Sequence, residues 1–157
     1  MNQLAERQKI VVHDQELTIT HPTKPIWPKK GLNKLDYLHY LTSIAERMLP
    51  FLRDRALTVI RYTDGIQGES FYQKNCPSYA PAFIKTYEQE GIHYIICNDL
   101  PSLLWLGNQL ALEIHIPFNK VASDFPEEIV LDLDPPSRQE FGLAVEAALM
   151  IKEIADR

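Results

Sequence analysis

The chain has 157 residues, 45% hydrophobic, 24% charged and 10% aromatic, a balance that allows one sizeable core in a single domain or part of one. No apolar run approaches the roughly eighteen residues of a membrane span, and Met1 to Lys9 is polar, which excludes a secretory signal and points to a soluble cytoplasmic protein. The net charge of −5 conceals an asymmetry, because residues 1–75 carry eleven Lys/Arg against eight Asp/Glu and residues 76–157 carry five against thirteen. A phosphate-holding patch beside a cation-holding one gives this pattern, and so does a chance scatter of solvated side chains.

Residues 10–20 alternate apolar and polar around His13-Asp14-Gln15, which predicts a short edge hairpin. His21 to Pro28 holds three prolines, which remove donors and push their predecessors toward extended backbone, so this segment is a loop, ordered or not, rather than a helix. From Asn33, read as the cap, the spacing Leu35, Tyr37, Leu38, Leu41, Ile44, Ala45, Met48, Leu49 predicts a helix with one apolar face, ended by Pro50. Ala56 to Tyr62 reads as a buried strand stopped by Thr63-Asp64-Gly65, and Ser70 to Lys74 as its return strand.

Pro77 to Phe83 is a proline-punctuated connection, Gly91 to Cys97 a strand, Leu100 to Leu110 a helix and Leu112 to Pro117 an alternating strand. Ile129 to Asp134 reads as a strand halted by Pro135-Pro136, and Phe141 to Ile154 as a closing amphipathic helix. Interleaved strands and helices define an α/β (α+β) domain. Cys76 and Cys97 have no metal-ligand spacing and read as reduced thiols.

Four constellations carry chemistry. Asp132 and Asp134 stand two apart at the end of the apolar run. On a strand both carboxylates project from one face, where their repulsion is relieved by a hard divalent cation; the plainer reading is the solvent-facing rim of a strand. His115 shares the polar face of its strand with Glu113 and suits a metal as a neutral imidazole, or is simply exposed. Lys24, Lys29, Lys30 and Lys34 have no acidic residue among them and lie in a stiff loop entering a helix, which suits a phosphate or is a solvated lysine-rich loop. Arg61 and Lys74 flank Phe71 and Tyr72, aromatic surface with cations nearby, which is how bases are stacked without reading sequence; buried hairpin aromatics are the alternative.

Taken in order, His21-Pro-Thr-Lys24 with Lys34 ten residues on, Arg61-Tyr62-Thr63-Asp64-Gly65-Ile66, Phe71-Tyr72-Gln73-Lys74, Leu112-Glu113-Ile114-His115 and Leu131-Asp132-Leu133-Asp134-Pro135 resemble the polymerase domain of bacterial ligase D, a branch of the archaeo-eukaryotic primase superfamily. The resemblance runs from about residue 10 to the end. It implies a primase-polymerase-like mixed sheet with flanking helices, and an end-joining enzyme that adds nucleotides, often ribonucleotides, to a 3′-OH. By the same resemblance Lys24 and Lys34 bind the 5′-phosphate of a DNA end or gap, and Phe71 and Tyr72 stack on the template with Arg61 and Lys74 in support. Asp132 and Asp134 ligate catalytic Mn²⁺ or Mg²⁺ with His115 assisting.

Nucleoside triphosphates, a ligase domain and Ku are the further partners implied, and a bacterial cytoplasm with nucleoid association the location. The family commonly has a Trp after this histidine, where Ile116-Pro117-Phe118-Asn119-Lys120 stands here, which puts the nucleotide pocket's shape in question. Its Ser-Gly-x-x-Gly-x-His segment and third aspartate do not occur before Arg157. The expectation is therefore that residues 1–157 are the N-terminal portion of one such domain, incomplete at its C-terminus. Three functional readings follow: an end-joining polymerase module, a DNA-end-binding fragment without catalysis, or an unrelated Asp-x-Asp phosphohydrolase.

Overall fold

The structure, a computed structural model, describes residues 6–157; the first five residues of the polar start Met1 to Lys9 lie outside them. Two compact units divide at Glu127–Glu128. No helix among the described residues is long and apolar enough to cross a membrane.

In the first unit, β1 (Arg7–Val12) and β2 (Gln15–Thr20) pair antiparallel, Val12 opposite Gln15. His13 and Asp14 form the two-residue turn with φ of 45° and 64°, the left-handed pair that matches the twist of a tight hairpin. The proline loop is ordered: β3 (Pro25–Trp27) pairs with β4 (Leu32–Asn33) across a 3₁₀ turn that Pro28 opens. Asn33 then caps α1 (Lys34–Leu52), its side chain accepting from Asp36 N while Asp36 accepts from Asn33 N, so two orphan donors are satisfied reciprocally.

The helix runs two residues beyond Pro50. In the last turn the missing proline donor costs a single bond, and Arg53 N still reaches Leu49 O at 3.0 Å.

β5 (Thr58–Arg61) is central to a three-stranded antiparallel sheet, flanked by β6 (Phe71–Gln73) and β9 (Ala111–His115). A second hairpin joins β7 (Lys85–Gln89) to β8 (Ile92–Ile96) through Glu90 and Gly91, both at positive φ. The sequence reading did not include β7, whose exposed charged and polar side chains mute the strand signal. Single bridges, Leu57 to Ile95 and Asn75 to Tyr94, tie this hairpin to the three-stranded sheet. Asp99 caps α2 (Leu100–Asn108) by accepting from Ser102 N at 2.9 Å.

α2 packs on α1 through Gly107, where a Cβ would stand 2.5 Å from Leu41 Cδ1 and 2.9 Å from Leu38 Cδ2. The core gathers Leu17, Ile19, Leu38, Leu41, Val59, Ile95, Leu103 and Leu106. Both cysteines are free, and burial pushes the Cys97 thiol up to about 12.

In the second unit a 3₁₀ turn at Arg138–Glu140 leads into α3 (Phe141–Ala155), the expected closing helix. The strand expected at Ile129–Asp134 is absent: these residues are irregular. A strand exists by pairing its N–H and C=O groups with a neighbour, and no ladder involves this run. The α/β (α+β) class stands, with three helices and several small sheets whose ladders, among the described residues, are all antiparallel.

Candidate functional site

Strand register sorts the candidate residues onto two faces of the β6-β5-β9 sheet. Ile60 pairs with both Tyr72 and Glu113, and Thr58 with His115, so Tyr72, Glu113 and His115 share one face. Arg61 pairs with Phe71 and Val59 with Gln73, which puts Arg61, Phe71 and Gln73 on the other. Phe71 and Tyr72, adjacent in sequence and both expected at the template, therefore point to opposite sides of an edge strand, both exposed. Lys74, just past the strand, is exposed as well.

On the first face Tyr62 donates its hydroxyl to Glu113, which holds the phenol above its ordinary pKa, and the second Glu113 oxygen lies 3.3 Å from His115 Nε2. The His115 ring stands 6.2 Å from that of Tyr72. A hollow of about 340 Å³ adjoins His115, walled by Thr58, Tyr87, Tyr94, Asn119 and Ser123.

The opposite face is a hydrogen-bonded network around one guanidinium. Arg61 Nε donates to Gln109 O at 2.8 Å, Nη1 to Gln73 Oε1 at 2.8 Å and to the Tyr79 hydroxyl at 3.1 Å, and Nη2 to Gln109 Oε1 at 3.3 Å. Its Cζ lies 5.4 Å from the Phe71 ring centroid, within cation–π range. Sequence reasoning singled out Arg61 but missed Tyr79 and Gln109, which lie far from it in the chain.

The two lysines expected at the phosphate occupy unlike environments. Lys34 N donates to Lys24 O at 2.9 Å, so the residues are neighbours in space. The side chain of Lys24 is one-third exposed, and its Nζ lies 3.2 Å from Asp64 Oδ1. The turn carrying Asp64 is pinned to the loop by Ile66 N donating to Ile26 O, and Gly65, at φ 79°, lies so close that a Cβ would meet Ile26 O at 3.0 Å. Lys34 is only 3% exposed. Its ammonium donates to Thr20 O at 2.6 Å and to Asn108 O at 3.0 Å, the latter a carbonyl at the negative end of α2.

Burial first, then Lys24 and Arg61, lower the Lys34 pKa from 10.5 to about 8. Lys34→Met, which keeps the alkyl stem, leaves two acceptors without this donor and is expected to cost about 1–3 kcal/mol. Because the folded value lies below the unfolded one, the folded chain binds fewer protons than the unfolded chain between about pH 8 and 10.5, and Lys34's contribution to stability rises with pH across that window. Urea unfolding near pH 7 and near pH 9 checks this: the wild-type advantage over Lys34→Met should be larger at the higher pH, and a constant gap refutes the buried, shifted ammonium.

Asp132 and Asp134 belong to the second unit and are exposed there; His115 belongs to the first. Without a strand at Ile129–Asp134, the geometric reason for their carboxylates to converge falls away. Within neither unit, among the described residues, do three His, Cys, Asp or Glu side chains gather to hold a metal ion. The donor chemistry, carboxylates with an imidazole, suits Mn²⁺ or Mg²⁺.

A basic loop entering a helix N-terminus, an edge strand presenting aromatics to both sides and, across β5 from it, a histidine-bearing strand are the features on which the resemblance to a primase-polymerase type of domain rests. The sequence profile described as "LigD, primase-polymerase domain" matches residues 33–157, and the chain belongs to that family. It is 47% identical over 141 residues to the bifunctional non-homologous end joining protein LigD of Bacillus subtilis, covering 90% of this chain and 23% of that protein. The multifunctional LigD of Mycolicibacterium smegmatis is 31% identical over 128 residues, 77% of this chain and 17% of the relative. Among solved structures, the polymerase domain of Mycobacterium tuberculosis ligase D in complex with DNA superposes with a TM-score of 0.62 at 29% identity, covering 66% of this chain and 38% of that one. The chain thus spans less than a quarter of the length of these two curated relatives. It is a LigD polymerase-domain sequence.

Proposed function

We propose that this chain holds a 5′-phosphorylated DNA end or gap for a repair polymerase that adds nucleotides, ribonucleotides among them, to a 3′-OH. The observation that carries this reading is Lys24: a partly exposed ammonium on a loop fixed by the Gly65 turn and by the bond from Lys34 N. A stiff cation loses little freedom on meeting an anion, and its present partner, a mostly exposed Asp64 carboxylate, is a weak competitor for a phosphate of roughly −1.5 to −2 charges. Lys34, neutralising the end of α2, supports Lys24 from behind. The solved relative's complex with DNA supports the same partner here.

In the catalytic half of the reading, Asp132 and Asp134 are the residues that would hold Mn²⁺ or Mg²⁺, with His115 assisting. Such ions, when bound, polarise phosphoryl oxygens and activate a hydroxyl nucleophile. This chain's own part is to present the carboxylates, to keep His115 oriented through Glu113 and Tyr62, and to offer the hollow beside His115 to a nucleoside triphosphate. A ligase domain and Ku are the partners this activity calls for, on the nucleoid of a bacterial cytoplasm. End binding without catalysis is the second reading, since the residues assigned to the DNA end, Lys24 and the β6 aromatics, all lie in the first unit and do not depend on Asp132 or Asp134. Family membership leaves the phosphohydrolase without support.

Fluorescence anisotropy tests the first half directly. Recessed or gapped DNA with a 5′-phosphate should bind the chain more tightly than the same DNA with a 5′-hydroxyl. Equal affinity in a folded protein removes the end-recognition reading.

A further inference from the structure

Tyr79 lies in the proline-punctuated loop after β6, far in sequence from the other aromatic candidates, and its ring is 61% exposed. An exposed tyrosine ordinarily gives its hydroxyl to water and samples rotamers freely. Here the hydroxyl accepts from Arg61 Nη1 at 3.1 Å and donates to Gln109 Oε1 at 3.1 Å, so the tip fixes the ring in place while most of the residue stays exposed. The same guanidinium lies over the Phe71 ring, itself 44% exposed. Two presented rings and a cation clamped between polar partners therefore stand on one side of the β6 edge, the side away from Tyr72 and His115.

We infer that Tyr79 is a nucleic-acid-contacting residue, forming with Phe71 and Arg61 a preorganised ledge on which an unpaired base of the DNA strand stacks. The inference rests on the DNA-end reading above and deepens it. A protein partner is a poorer occupant, because the rings are set among Gln73, Lys74, Asn75 and Gln109 rather than in a continuous apolar patch. A base is a flat apolar face with a polar rim, which matches rings bordered by amides and cations and requires no particular sequence. Rings already fixed lose little freedom on binding. With Tyr72 on the opposite face, strand β6 separates two stacking positions, so a strand crossing this edge meets one on each side.

The experiment uses the 157-residue chain and two DNAs: a duplex with a recessed 5′-phosphorylated end and 2-aminopurine at its first unpaired template position, and a blunt duplex of the same paired sequence. Quenching of 2-aminopurine on binding reports stacking. Tyr79→Ala is expected to weaken binding to the recessed DNA by roughly five- to a hundredfold and to reduce the quench, leaving blunt-duplex affinity unchanged. Tyr79→Phe keeps the ring and releases its tip, so its loss should be smaller. Circular dichroism and thermal unfolding confirm that the variants are folded, which the exposure of the site leads one to expect.

Wild-type affinity and quench in folded Tyr79→Ala overturn the ledge while leaving DNA-end binding intact, as does an equal loss on both DNAs. Failure of the wild-type chain to bind the recessed DNA removes the end-binding reading itself, and the ledge with it.

Discussion

Asp132→Ala, placed in a LigD polypeptide that contains this segment, is expected to lower nucleotide addition at a gapped, phosphorylated DNA end by roughly a thousandfold or more. Cation stabilisation of a phosphoryl-transfer transition state is worth several kcal/mol, and each 1.36 kcal/mol is about tenfold in rate. Asp134→Ala should behave alike if the two carboxylates share the ion. The two variants should also weaken Mn²⁺ binding, read by electron paramagnetic resonance without any turnover. End binding, which the proposal assigns to Lys24 and the aromatic ledge, should persist in both. Near-wild-type addition or unchanged Mn²⁺ affinity in Asp132→Ala removes this aspartate from catalysis.

The two carboxylates also show where sequence reasoning reached its limit. Leu131-Asp132-Leu133-Asp134 alternates as a half-buried strand does, and the family resemblance it helped to carry is correct. The strand itself did not follow, since alternation states what a segment does when a partner strand is present and cannot supply the partner. Where the partner is local, the pattern translated directly: Leu17 and Ile19 face the core from a hairpin closed by a two-residue turn, and Asn33 and Asp36 cap a helix with side chains three residues apart.

Non-local features were hidden for the same reason. Phe71 and Tyr72 look like a pair in the sequence, yet only the register against Arg61 and Ile60 assigns each to its face. Lys34 reads as one of four loop cations. Only its contacts with Thr20 and Asn108, 14 and 74 residues away, show that it is an internal crosslink between a hairpin and the end of a helix.

That division between two lysines leads to the second large expected effect. Lys24→Ala should erase most of the preference for a 5′-phosphate over a 5′-hydroxyl, because its ammonium is the exposed one of the pair. Hydrogen bonds to charged groups contribute about 1.5–3 kcal/mol, which is roughly ten- to a hundredfold in affinity. One lost phosphate contact should also lower the slope of log affinity against log salt by about 0.7–0.9. Asp64→Asn should act in the opposite sense. Removing the carboxylate 3.2 Å from Lys24 Nζ frees the ammonium from its competitor and takes a negative charge away from the incoming anion, so phosphorylated ends should bind more tightly. The gain should be modest, since an exposed ion pair contributes about 0–1 kcal/mol. Anisotropy over a salt series, with both end chemistries and both variants, separates the cases: a phosphate preference that survives in Lys24→Ala means that another cation holds the end, and the assignment to Lys24 is then wrong.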